Sequence, residues 1–272
     1  MASNARVILV TGSNTGIGYE LVRLLAAKGH TVYLSSRNEE SGQAALKKLK
    51  EEHNLEVKYV QLDVTDDGSV SKAKEIIEKA EGKLDVLVNN AAIALGGMPS
   101  QLDINQVTQV LNTNYLGVIR VTTAFISLIR AAGNGIILNV SSEVGSHTIQ
   151  TQLGERLPPF LGVYYGSKAI LNSYTVSLAK ELKNEGIRVN SVSPGLTETK
   201  LSNYMGGRSA TEGAEVLLPW VVLAPGEDKT AIEEATFLLD ERASYNDYGI
   251  RPNPNTAEDV ISLNQSAAEF KV

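Results

Sequence analysis

Tyr164 and Lys168 stand four residues apart in VYYGSKAILNSY, a stretch that reads as the start of a helix. Side chains at i and i+4 of a helix share a face, so a phenol and an ammonium would meet there. A phenol titrates near ~10, and a neighbouring cation favours its ionised form, giving an acid–base group usable near neutrality. A second stretch, TGSNTGIG at 11–18, follows an apolar run and opens a helical pattern. Its spacing, Gly12-x-x-x-Gly16-x-Gly18, departs from G-x-G-x-x-G but suits the same job. Gly12 permits a tight turn, Gly16 lets backbone approach a phosphate, and Gly18 lets helix and sheet pack closely. The helix N-terminus then offers free N–H groups and its positive dipole end to a pyrophosphate. The next apolar run ends in Ser35-Ser36-Arg37. A carboxylate in that region would hold a ribose 2′-hydroxyl, whereas Arg accommodates a 2′-phosphate, so Arg37 points to NADP(H). Glu39 and Glu40, close by, fall in a first helical turn, where acids are expected.

The elements that must position these residues alternate along the chain. Strand-like runs cover 6–10, 31–36, 57–64, 84–92, 135–142 and 187–195. Between them lie helical patterns: one after the glycine loop, one from Asn38 to His53, one over 69–82 capped by Asp66 or Asp67, one long pattern from about Asp103 to Ala132, and one over 163–186. Short, nearly all-apolar strands alternating with helices predict an α/β fold. The expected architecture is a doubly wound parallel sheet of Rossmann type, helices on both faces, in a single domain over 1–251. Residues 196–227 break the pattern with glycines, Pro219 and Pro225, and read as a substrate loop carrying Tyr204, Met205 and Trp220, or as surface helices packing those aromatics inward. Residues 252–272 read as a polar tail without a sheet position.

The 272 residues carry a net charge of −6 and no cysteine, which removes disulfides, thiolate catalysis and Cys-ligated metals. No basic block suggests nucleic acid, and no apolar stretch is long enough to span a bilayer. His30, His53 and His147 form no ligand spacing, so no metal site is expected. The expectation is a soluble, cytoplasmic protein acting on a small molecule.

Together these stretches resemble the short-chain dehydrogenase/reductase family over about residues 5–250. TGSNTGIG is similar to its cofactor loop, and Asn89-Asn90-Ala91-Ala92 to its NNAG motif, with Ala92 in place of Gly. Asn114 in NTNYLG matches its active-site asparagine, NVSS at 139–142 carries its serine, Tyr164-x-x-x-Lys168 is its signature, and Pro194-Gly195 follows the sixth strand. Within the family, SSRNEESGQAALKKLK, KLDVLVNNAAIAL and TEGAEVLLPWVVLAP are most similar to the NADPH-dependent carbonyl reductases. That branch often has a basic residue in the glycine loop where Thr15 stands here, so the NADP(H) preference rests on Arg37.

The resemblance implies NADPH-dependent reduction of a ketone, aldehyde or quinone. It implies that Tyr164 donates a proton to the carbonyl oxygen and that Lys168 holds the nicotinamide ribose and lowers the Tyr164 pKa. Ser142 would orient the carbonyl and Asn114 would anchor a relay water. Implied cofactor contacts are Gly12, Asn14, Gly16, Ile17, Gly18, Arg37, Asp63, Val64, Asn90 and Thr199, with Tyr164 and Lys168. Two other functions stand beside this one: alcohol oxidation by the same chemistry, and a non-catalytic dinucleotide-binding sensor. Ser141 rivals Ser142, but consecutive strand residues face opposite ways. Tyr165 is one residue short of the motif spacing. Asp63 reads equally as an adenine contact or a helix-approach cap. The segment 143–163 is longer than in most relatives and is expected to border the substrate entrance and cover a helix face used in oligomer packing. Monomer and homo-oligomer both remain open.

Overall fold

The first strand, β1 (Val7–Val10), is apolar and buried at every position, as a strand covered on both faces must be. A computed structural model of the chain describes residues 5–205 and 207–222. Five further strands follow: β2 (Thr31–Ser36), β3 (Lys58–Gln61), β4 (Val86–Asn89), β5 (Ile136–Val140) and β6 (Arg188–Val192). All pair in parallel, in the order β3-β2-β1-β4-β5-β6, with Leu9 opposite both Tyr33 and Leu87. The helices are α1 (Gly16–Ala27), α2 (Glu39–His53), α3 (Asp67–Glu81), α4 (Ile104–Leu111), α5 (Gly117–Ala131), α6 (His147–Leu153), α7 (Gly162–Leu182) and α8 (Ala210–Val221).

Strand alternation sorts the core into two layers. Val7, Leu9, Leu87, Ile137 and Val189 face α3, α5 and α7, packing on Ile77, Phe125 and Leu182. Ile8, Val10, Val86, Val88, Leu138 and Val192 face α1, α2 and α8, packing on Leu25, Leu49 and Leu217. The doubly wound parallel sheet of the sequence reading is therefore the fold. Caps set the helix starts: Asn38 accepts from the Ser41 N–H ahead of α2, and Asp66 from the Ser69 N–H ahead of α3, which decides between Asp66 and Asp67.

One expectation is corrected. The single helix read over 103–132 is α4 and α5 joined by a π-helical turn, Asn112–Leu116. One extra residue in a turn leaves the apolar periodicity on either side intact, so the pattern does not disclose it. Residues 196–227 read as a substrate loop or as surface helices, and α8 occupies the middle of that segment. It starts at a reciprocal capping box in which Ser209 and Glu212 satisfy each other's backbone N–H groups. Pro219 lies inside this helix, near its end, where burial of Ala214, Leu217 and Val221 against α1 outweighs the lost backbone bond. Pro225, the end of that segment and the tail 252–272 lie outside the described residues.

Candidate active site

The sheet order reverses between β1 and β4, the position at which open α/β sheets form a crevice at their carboxyl ends. A cleft of ≈ 530 Å³ lies there. Its lining includes Gly12, Asn14, Gly16, Ile17, Gly18, Arg37, Asp63, Val64, Asn90 and Thr199. The glycine loop is a cradle that side chains would fill. Gly12 has a positive φ of 59°, and a Cβ on it would stand 2.8 Å from the Ala91 Cα. A Cβ on Gly18 would stand 2.5 Å from Asn90 Nδ2. Asn90 ties the loop to the end of β4, its amide donating to the Thr11 and Gly12 carbonyls at 2.9 and 3.0 Å. Thr199 covers the loop from the other side, its methyl 3.3 Å from a Cβ placed on Gly16.

At the far end of the cleft Arg37 is exposed beside Asn38 and Ser41. Asn14 donates to the Ser41 hydroxyl at 3.1 Å, joining the glycine loop to the start of α2. Asp63 accepts from the backbone N–H and hydroxyl of Thr65 at 2.9 and 2.7 Å, forming the turn that ends β3 at the cleft wall. Helix capping falls to Asp66 instead. Arg120 was not anticipated from sequence. It donates to the Val64 carbonyl at 2.7 Å, pairs with Asp67 at 2.6 Å and reaches Asn112 Oδ1 at 3.5 Å.

The π-helical turn carries Asn114, which is only 1% exposed. Its side chain accepts from the Ile93 N–H and donates to the Ile93 carbonyl, both at 2.9 Å, pinning the chain just after β4. It also donates to the Ser167 hydroxyl at 3.0 Å, and Ser167 in turn donates to the Tyr164 carbonyl at 2.7 Å. Ser167 was likewise missed, although its signal was present: a small hydroxyl at i+3 from Tyr164 on the same helix face.

Ser141 and Ser142 follow directly on the end of β5. Ser141 is buried and donates to Asn172 at 2.8 Å, whereas Ser142 is half-buried and hydrogen-bonds Tyr164. The rival tyrosine, Tyr165, is buried and donates to the Pro158 carbonyl at 3.2 Å. Lys168 is 3% exposed. Its ammonium stands 5.6 Å from the centre of the Tyr164 ring and donates to the Val140 carbonyl at 2.7 Å. Ser142, Tyr164 and Lys168 stand outside the cleft lining itself, and Asn114 joins them to its Ile93 edge.

The electrostatics of this pair differ from the sequence expectation. Burial pushes the Tyr164 phenol up, with Glu143 adding to the rise and the Ser142 hydrogen bond opposing it. Burial also lowers Lys168 to about 8. Exclusion of water thus outweighs the attraction between phenolate and ammonium that the i, i+4 spacing suggested.

The long segment 143–163 forms a 3₁₀ turn at Glu143–Gly145, then α6, then 3₁₀ turns at Gly154–Arg156 and Pro159–Leu161. It packs on the beginning of α7, and the Phe160 carbonyl occupies the place a Cβ on Gly96 would take. That contact brings it beside the loop whose Ile93, Ala94 and Leu95 line the cleft. Further along α7, Ile170 is exposed.

The chain matches the model of the short chain dehydrogenase family over residues 6–208. It is 30% identical to (−)-isopiperitenone reductase of Mentha piperita over 83% of this chain and 95% of that protein. Among solved structures it resembles salutaridine reductase of Papaver somniferum, with a TM-score of 0.72, 29% identity, and 83% of this chain and 98% of that one covered. It also resembles a gluconate 5-dehydrogenase of Burkholderia cenocepacia solved with NADP and tartrate, with a TM-score of 0.69, 25% identity, and coverage of 79% and 88%. The chain belongs to the short chain dehydrogenase family and is an oxidoreductase of the Rossmann type.

Proposed function

We propose that this protein reduces a carbonyl, in a ketone, aldehyde or quinone, to the alcohol with NADPH. The observation that carries the reading is the buried Lys168 ammonium, anchored on the Val140 carbonyl and 5.6 Å from the centre of the Tyr164 ring one helical turn away. The glycine cradle and the backbone clamp by Asn90 fit a dinucleotide pyrophosphate at the start of α1. Arg37, with Asn38 and Ser41, supplies the donors for a 2′-phosphate, in keeping with the NADP bound by the gluconate 5-dehydrogenase. When bound, the reduced nicotinamide supplies a hydride to the carbonyl carbon.

Ser142 and Tyr164 direct two hydroxyls at the carbonyl oxygen, and Tyr164 gives its proton to that oxygen as negative charge develops there. A phenol held protonated by burial is suited to this acid role and hence to reduction. Lys168 stabilises the phenolate left behind, and Asn114 and Ser167 fix the turn of α7 that carries Tyr164. The test is NADPH oxidation with a panel of carbonyl compounds. Tyr164→Phe should lower kcat by at least ~100-fold. Unchanged turnover in that variant would overturn the mechanism.

A further inference from the structure

Among the described residues, three that carry charge at neutral pH line the cleft: Arg37, Asp63 and Lys200. Arg37 stands at the α2 end, and the Asp63 carboxylate is already engaged by Thr65. The glycine loop itself, residues 12–18, has no cationic side chain. A pyrophosphate at the start of α1 would meet N–H groups and the helix dipole there, but no full positive charge from the loop. Lys200 enters the cleft from the turn that covers the loop. It directly follows Thr199, whose methyl is 3.3 Å from a Cβ placed on Gly16, the first residue of α1. Lys200 is exposed, and among the described residues its ammonium makes no hydrogen bond or ion pair.

The turn that carries Lys200 is held in an unfavourable backbone conformation. Asn203 and Tyr204 are consecutive non-glycine residues with positive φ, 53° and 55°. Such residues persist where the surroundings over-determine them, and they cluster at ligand clamps. Here the Ser202 hydroxyl stands 2.7 and 3.0 Å from the Thr197 and Thr199 carbonyls and accepts from the Thr199 N–H at 3.1 Å. The Tyr204 N–H donates to the Thr199 carbonyl at 2.8 Å, and the Asn203 N–H to the Lys200 carbonyl at 3.2 Å. The turn is closed on itself, with the Lys200 side chain left for a ligand. We propose that Lys200 binds the dinucleotide pyrophosphate, clamping it from the turn after β6 against the glycine loop. The proposal rests on the dinucleotide part of the carbonyl-reductase reading and deepens it, by naming a second cation of the cofactor site. An ammonium is a compact charge on a flexible stem, suited to a phosphate whose other oxygens are held by N–H groups. The two cations then divide the phosphates: Arg37 takes the 2′-phosphate peculiar to NADPH, and Lys200 the pyrophosphate that NADPH and NADH share.

The experiment is calorimetric titration of wild type, Lys200→Gln and Lys200→Arg with NADPH, NADH, ADP and adenosine 2′-phosphate, in the absence of any carbonyl. Lys200→Gln should weaken NADPH, NADH and ADP by a common factor of about fivefold at low salt, and leave adenosine 2′-phosphate unchanged. Lys200→Arg, which keeps the charge, should hold most of the affinity. The difference between wild type and Lys200→Gln should shrink as potassium chloride is raised. Unchanged NADH affinity in Lys200→Gln overturns the proposal, as does a loss confined to NADPH and adenosine 2′-phosphate, which would place Lys200 at the 2′-phosphate. Equal losses in Lys200→Gln and Lys200→Arg would mean that shape and not charge is at work, and overturn it too. Wild type that binds neither NADPH nor NADH overturns it together with the cofactor reading. A protein that binds these nucleotides but reduces no carbonyl would defeat the functional reading alone, because the titrations read binding without turnover.

Discussion

Lys168 illustrates what the chain gives up to build this site. Burial lowers its pKa to about 8, whereas an exposed lysine titrates near ~10.4. Below pH ~8 both folded and unfolded chains bind the proton, and the folded chain carries a penalty for holding a charge out of water. Between ~8 and ~10.4 the unfolded chain binds more protons, so stability rises with pH, and above that window the penalty is gone. The difference is about 3 kcal/mol from the shift between those values. Chemical denaturation of wild type and Lys168→Met at a series of pH values should therefore diverge. Wild type should gain about that much relative to the variant between pH ~8 and ~10, with no relative gain below ~7. A constant difference across the range would mean that Lys168 is not held in a dry site. The Val140 carbonyl loses its donor in the variant at every pH, which offsets the curves without changing their divergence.

At the scale of elements, the catalytic geometry depends on features that local patterning reveals unevenly. β1, β2 and the glycine loop were legible because an apolar run, three glycines and an amphipathic helix occur in order, each with one reasonable structure. The i, i+4 spacing placed Tyr164 and Lys168 on one face of α7; strand alternation allowed only one of Ser141 and Ser142 into the cleft, and the family motif chose Ser142. The π-helical turn at Asn112–Leu116 was not legible, since it arises from tertiary bonds: Asn114 to Ile93 and Ser167, and Arg120 to Val64 and Asn112. The direction of the Tyr164 shift was not legible either, because burial belongs to the folded chain. α8 was obscured by Pro219 and the neighbouring glycines, although Ser209 and Glu212 already spelled a capping box. That box predicts a separable effect. Ser209→Ala should destabilise the protein by about 1 kcal/mol, the cost of one lost N-cap. Its kcat should stay at the wild-type value, because α8 packs on α1 behind the sheet. A large fall in kcat with unchanged stability would instead tie α8 to the site.

Over the whole molecule, the cleft joins two halves of the sheet. Gly12, Arg37 and Asp63 come from the β1–β2–β3 side, and Asn90, Ile93 and Thr199 from the β4–β5–β6 side. A dinucleotide lying across them would bind the folded chain and not the unfolded one. It should stabilise by about 2.7 kcal/mol at a hundred times its dissociation constant. For a chain of this size that is roughly 5–10 °C in Tm. The proposed role of Arg37 makes the response selective: NADPH should raise Tm well above NADH at equal concentration. Arg37→Ala should shrink that gap, because the 2′-phosphate loses a charge-assisted partner. Arg37 is exposed, so the Tm of the variant without nucleotide should match wild type to within a degree or two. Equal shifts with both nucleotides in wild type would move the cofactor assignment to NAD(H), and would leave the chemistry proposed for Ser142, Tyr164 and Lys168 untouched, since these residues stand apart from Arg37 and outside the cleft lining.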